Sequence, residues 1–216
     1  MLTPAAVLFD NDGLLLDTES VWTRAERDLF ERRELEFTLQ HKRELIGTPA
    51  QVAGEILARR LGEPGGEAAL IAELDELVFE ELEAGVDPMP GARELVAELR
   101  RLRIPLGLVS NSPERFIHRA LELVEMTDAF DSVISGHAVQ APKPEPHPYL
   151  EACEQLEVEP GDSVALEDSP TGVASARAAG LTVIGVPSLQ GMPLEQAHVV
   201  VESLSDPALP KHLGLA

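Results

Sequence analysis

From about residue 86 onward, short apolar runs alternate with stretches of helical periodicity, and this alternation leaves few folds open. The pattern predicts strands at 106–110, 132–135, 163–168, 182–186 and 198–201. It predicts helices at 92–103, 113–126, 146–156 and 171–179. Strands separated by helices of this length pair in parallel, and right-handed crossovers put helices on both faces. An earlier apolar run, Ala5-Ala6-Val7-Leu8-Phe9, reads as a strand of the same sheet. The expectation is an α/β protein with a doubly wound, Rossmann-like parallel sheet.

Between that first strand and residue 86 the pattern is helical throughout. Trp22, Ala25, Leu29 and Phe30 recur at helical spacing, as do Val52, Ile56, Leu57 and Leu61, then Leu70, Leu74, Leu77, Val78 and Leu82. The segment Gly62-Glu63-Pro64-Gly65-Gly66 separates the last two helices. The domain expectation is therefore a core of residues 1–16 and 87–216 with a helical unit, 17–86, inserted after the first strand. Both connections of such an insertion return to one place, which suits a hinge.

Polar residues close three of the apolar runs. Asp10 and Asp12 follow the first, Ser110-Asn111 ends the second, and Glu167-Asp168 ends a third. Ligands of open parallel sheets bind at the carboxyl ends of the strands. Clustered carboxylates, a hydroxyl and a lysine can move a phosphoryl group with a divalent cation. Alternation along the strand puts Asp10 and Asp12 on one side, able to face one ion or substrate, and turns Asn11 away. Each stretch also has a plainer reading. Asp10-Asn11-Asp12-Gly13 is a good turn, and Ser112-Pro113-Glu114 a good helix cap. Lys143, set between prolines in Ala141-Pro142-Lys143-Pro144-Glu145-Pro146, reads either as a stiffly mounted cation or as an ordinary exposed loop residue. Leu14 and Val21 occupy positions where an EF-hand loop needs ligands, which excludes calcium of that type.

The bulk properties narrow the partners. The formal charge of −21 opposes nucleic acid and anionic membrane surfaces, so neither is expected. An anionic substrate must be drawn in by local cations and a metal. Cys153 is the single cysteine, which rules out an intrachain disulfide. There is no signal-peptide pattern and no apolar run of membrane-spanning length. The expectation is a cytoplasmic protein, a monomer by default.

Taken in order, the four stretches resemble the signature of the haloacid dehalogenase superfamily over nearly the whole chain. The resemblance implies Asp10 as nucleophile and Asp12 as general acid/base. It implies Ser110 as a phosphoryl ligand with Asn111 nearby, and Lys143 offsetting charge on nucleophile and phosphate. It gives magnesium as the cofactor, held by Asp10, Asp168, Glu167 as a helper and the backbone carbonyl of Asp12. The helical insertion resembles the family's C1 cap, with Thr48 in Gly47-Thr48-Pro49, and more loosely Arg43, as candidates for substrate selection. Thr48 reads equally as a helix N-cap. The implied activity is hydrolysis of a small phosphate ester, a sugar phosphate above all, through an aspartyl-phosphate. A phosphosugar mutase and a non-catalytic phosphate-ligand binding protein are the alternatives. Trp22 stands where the mutases carry histidine. Two residues depart from the family pattern: Asn11, where an apolar residue is commoner, and His147, where an acidic one is usual.

Overall fold

The computed structural model describes residues 3–46, 48–188 and 192–215. In chain order the elements are β1 (Val7–Asp10), α1 (Thr18–Glu31), α2 (Leu39–Leu45), α3 (Ala50–Leu61), α4 (Glu67–Glu83) and α5 (Ala92–Arg101). There follow β2 (Leu106–Ser110), α6 (Glu114–Leu123), β3 (Ser132–Ser135), α7 (His147–Gln155) and β4 (Val164–Glu167). The chain continues through α8 (Pro170–Ala178), β5 (Thr182–Gly185), β6 (Val199–Val200) and α9 (Leu209–His212). It divides into two compact units, residues 1–17 with 87–216, and Thr18–Val86.

The first unit holds a six-stranded sheet in the order β3-β2-β1-β4-β5-β6, with every pairing parallel. All residues of β1, β2 and β4 are buried, the condition of a parallel sheet covered on both faces. Leu8, Val109 and Ala165 share a core cluster with Tyr149, Ala152 and Cys153 of α7 and with Val173 and Ala176 of α8. Cys153 is buried there, and burial pushes its thiol up to about 11, so it behaves as a small apolar side chain. Strand β1 pairs with β2 on one side and β4 on the other. The winding direction therefore reverses at β1, and the carboxyl ends of β1, β2 and β4 border the switch point where such sheets bind ligands.

Strand β1 stops at Asp10. The Asn11 carbonyl accepts the N–H groups of Leu15 (3.1 Å) and Leu16 (3.0 Å), and Gly13 N–H donates to Leu16 O (2.9 Å). The chain thus turns tightly rather than continuing as strand. Asp17 N–H then donates to Asp87 O at 2.8 Å, so the two ends of the inserted segment leave the first unit side by side.

In the second unit, α1 buries Ala25, Leu29 and Phe30, and α4 buries Leu70, Leu74, Leu77, Val78 and Leu82, all picked out by helical spacing, and α1 also buries Val21, which is not among them. Trp22 is half-buried rather than core, and Val52 is 42% exposed although it falls on the apolar spacing of α3. Glycine 62, at φ 74°, ends α3 in the left-handed conformation. No described helix is long and apolar enough to cross a membrane.

Lys42 on α2 reaches Glu19 and Glu26 on α1, each at 3.0 Å. Glu26 is 4% exposed, and burial lifts its carboxyl to about 7 against the pull of Lys42. A carboxyl raised in the folded state favours the protonated form there, so rising pH costs stability between roughly pH 4.3, the unfolded value, and the folded value. Glutamine does not titrate. Between about pH 4 and pH 8 the stability difference should therefore move in favour of Glu26→Gln by roughly 3 kcal/mol. Urea melts of both proteins at the two pH values check this.

Candidate active site

The carboxylate of Asp10, at the end of β1, is 6% exposed. Its Oδ1 accepts from Lys143 Nζ at 2.6 Å. Lys143 is itself only 5% exposed and not the exposed loop residue of the plainer reading. Its ammonium also donates to Glu167 Oε1 (2.6 Å) and to the Val109 carbonyl (2.8 Å) at the end of β2. All three of its N–H donors go to protein acceptors. Lys143 thus bridges Asp10 and Glu167. Its ammonium also lies 5.2 Å from the centre of the Tyr149 ring.

Further observations refine the reading from sequence. Asn111 lies against the Lys143 loop. Its Oδ1 accepts from Lys143 N–H (2.9 Å) and its Nδ2 donates to Lys143 O (3.1 Å), so the side chain clips the lysine loop to the end of β2. Ser110 Oγ donates to Asp12 Oδ2 (2.6 Å) and accepts Ser112 N–H (2.9 Å). Ser112, read as a helix cap, instead donates to the same Asp12 oxygen at 2.9 Å. Strand alternation does not place Asp12, which lies past the end of β1. Its carboxylate is set by these hydroxyls and by Asn11, whose Nδ2 donates to Asp12 Oδ1 at 3.2 Å. Asn11 thus faces Asp12 rather than away from the site.

Tyr149, which the sequence marked only as part of a helical pattern, donates its hydroxyl to Glu167 Oε1 at 2.5 Å. A buried tyrosine needs such a partner, but nothing local in sequence names it. Glu167 is fully buried and its Oε2 has no hydrogen-bond partner among the described residues. It sits against Gly172 in the first turn of α8, where any Cβ would collide with the carboxyl group. Gly13 has φ 82°, and a Cβ there would lie 2.7 Å from Asp168 Oδ2. Two glycines thus let the backbone close onto the acidic groups.

Oxygens of Asp10, Glu167 and Asp168 lie within 4.8 Å of one another. Burial, together with the charges of Glu167, Asp168 and Asp12, pushes the Asp10 carboxyl well above the usual carboxylate range, although Lys143 pulls it down. Burial also lowers Lys143, but Asp10 and Glu167 outweigh it and hold the ammonium firmly protonated. Three carboxylates gathered beside one ammonium make a charge excess that a divalent cation relieves. An all-oxygen donor set is what a hard cation such as magnesium takes. The Asp12 carboxylate stands outside this three-residue group.

The remaining predicted residue lies in the other unit. Thr48 does not cap α3, whose N-cap is Pro49. Its hydroxyl donates to Leu45 O at 2.7 Å. Arg43 is exposed on α2, and Gly47 lies outside the described residues. His147 is the first residue of α7, and its Nδ1 has no hydrogen-bond partner among the described residues.

The model of the haloacid dehalogenase-like hydrolases matches residues 7–186, a span that takes in Asp10, Asp12, Ser110, Lys143, Glu167 and Asp168. The chain belongs to this family. Within the haloacid dehalogenase-like hydrolases it is 31% identical to validoxylamine A 7'-phosphate phosphatase of Streptomyces hygroscopicus subsp. limoneus, over 96% of this chain and 97% of that one. It is 31% identical to hexitol phosphatase B of Escherichia coli K12, over 87% of each chain. Among solved structures, CbbY from Rhodobacter sphaeroides in complex with phosphate superposes with a TM-score of 0.80 at 27% identity, covering 93% of this chain and 95% of that one. As a member of this family the protein is an enzyme, a hydrolase of phosphoric monoesters.

Proposed function

We propose that this protein is a magnesium-dependent phosphatase of a small phosphorylated carbohydrate, working through an aspartyl-phosphate. The observation that carries this is the pairing of Asp10 and Asp12. One buried carboxylate is held at the sheet's carboxyl end by a fully engaged lysine. The second, one turn on, is held by two hydroxyls and an amide.

An oxygen of the Asp10 carboxylate, which Lys143 holds in place, attacks phosphorus, and the P–O bond to the substrate alcohol breaks. Asp12 gives a proton to that departing alkoxide. It then takes one from the water that hydrolyses the acyl phosphate and returns Asp10 to its carboxylate. The hydroxyls of Ser110 and Ser112 hold Asp12 in place for both transfers. Asn111 holds the Lys143 loop. Asp10, Glu167 and Asp168, with the backbone carbonyl of Asp12, are the groups that would hold the ion. Bound there, magnesium would neutralise charge on the carboxylates and phosphoryl oxygens. The family pattern supports the helical unit as the cap that selects substrate, with Thr48 and Arg43 as its candidate residues. The two relatives named for carbohydrate-type phosphates support the substrate class.

Phosphate release from a panel of hexitol and hexose phosphates, nucleotides and phosphoglycolate tests the reading. Magnesium should support release from the sugar-type esters, EDTA should abolish it, and excess magnesium should restore it. An isomeric sugar phosphate without free phosphate would instead identify a mutase. No turnover of any ester with magnesium present would sink the enzymatic reading.

A further inference from the structure

Asn11 is fully buried beside the site, yet it is poorly satisfied. Its Nδ2 donates to Asp12 Oδ1 at 3.2 Å, and its Oδ1 has no hydrogen-bond partner among the described residues. A buried acceptor without a partner costs the fold, whereas an apolar residue of the same shape would not. Leucine, branched at the same carbon, is such a residue. The amide is therefore not explained by stability. Its mount is rigid, because the Asn11 carbonyl accepts two backbone N–H groups of the following turn. What the amide does is donate to the one Asp12 oxygen that the hydroxyls of Ser110 and Ser112 do not take, since both of those go to Oδ2. A carboxylate gripped through both oxygens has its plane fixed as well as its position.

We infer that Asn11 is a positioning residue for proton transfer to the leaving alcohol, holding the plane of the Asp12 carboxylate. This rests on the proton-transfer role given to Asp12 above. Proton transfer needs the acid within hydrogen-bond reach of the leaving oxygen, and small misplacements cost rate steeply. A positioning role differs from a structural one in what it depends on. It matters for an alkyl phosphate, whose alkoxide needs the proton. It does not matter for p-nitrophenyl phosphate, whose phenolate departs without one. The ratio kcat/KM is the right quantity, because it ends at the departure of the leaving group and excludes the later use of Asp12 as base.

The experiment compares wild type, Asn11→Leu, Asn11→Ala and Asp12→Asn on sorbitol 6-phosphate and p-nitrophenyl phosphate, with thermal melts alongside. Both Asn11 variants should lose about tenfold in kcat/KM on the sugar phosphate and less than about twofold on the aryl ester. Asn11→Leu should melt no lower than wild type. Asp12→Asn should lose roughly 10²- to 10⁴-fold on the sugar phosphate and far less on the aryl ester. If Asp12→Asn discriminates between the esters but the Asn11 variants lower both alike, or neither, the positioning role is overturned. If Asp12→Asn itself lowers both alike, the proton-transfer role falls and takes the positioning role with it.

Discussion

Replacing Asp10 with asparagine should abolish turnover while leaving the protein as stable as wild type, or more so. The side chains have the same shape, but an amide cannot form the acyl phosphate. Loss of a nucleophile of this kind costs roughly 10⁴- to 10⁶-fold in kcat. The stability result follows from the environment. The Asp10 carboxyl is buried among Glu167, Asp168 and Asp12, and these together with burial hold its ionised form at a disadvantage. Asparagine removes one charge from that crowd, and Lys143 keeps Glu167 as a partner. Magnesium should accordingly raise the melting temperature of Asp10→Asn by less than it raises that of wild type. Steady-state assays, acid-quench trapping of phosphoenzyme and thermal melts with and without magnesium check each part. A variant that still turned over at the wild-type rate would remove Asp10 as nucleophile.

Lys143→Met should harm the protein in two ways at once. Methionine fits the length of the site but carries no charge, so Asp10 and the fully buried Glu167 are left facing each other without a cation. Removing one member of a buried ion pair costs about 3–5 kcal/mol. Losing a charge aimed at the reacting carboxylate costs roughly a further 10²- to 10³-fold in kcat. Arginine should not rescue it. Three acceptors converge on one nitrogen here, whereas a guanidinium spreads its donors over a planar fork. Adding Glu167→Gln to Lys143→Met should recover part of the lost stability, because it removes one orphaned charge without restoring the lysine. Denaturant melts of the single and double variants read out the coupling. A Lys143→Met protein as stable as wild type would contradict the charge arrangement described.

The sheet was legible from sequence because its signals are local. Runs such as Val7–Phe9 and Leu106–Val109 are apolar, and burial on both faces follows from parallel pairing. The site's residues were legible for the same reason, since Asp10, Ser110 and Glu167 each close such a run. What those side chains hold was not. Asn111 is separated from the Lys143 backbone by a helix, a strand and a loop, and local rules offered only a cap for Ser112. Asn11 was misdirected because alternation was extended past Asp10, where the strand has already ended in a turn. Tyr149 looked like any aromatic on a helix until β4 brought Glu167 against it. Val52 keeps helical spacing yet faces solvent, because periodicity shows that a face exists and not which residues it covers.

The strand order has a consequence for how the chain is made. Strand β1 is central and wholly buried, but its two neighbours, β2 and β4, begin at Leu106 and Val164. The unit Thr18–Val86 is contiguous and is complete before either neighbour has left the ribosome. During synthesis the helical unit can close on itself, while Val7-Leu8-Phe9 waits as an apolar strand with both edges bare, a form prone to pairing with other chains. Residues 1–86 hold 19 acidic and 8 basic residues, a net −11, and this charge then has a use before any substrate is met: nascent chains that repel one another are slow to join at that open strand.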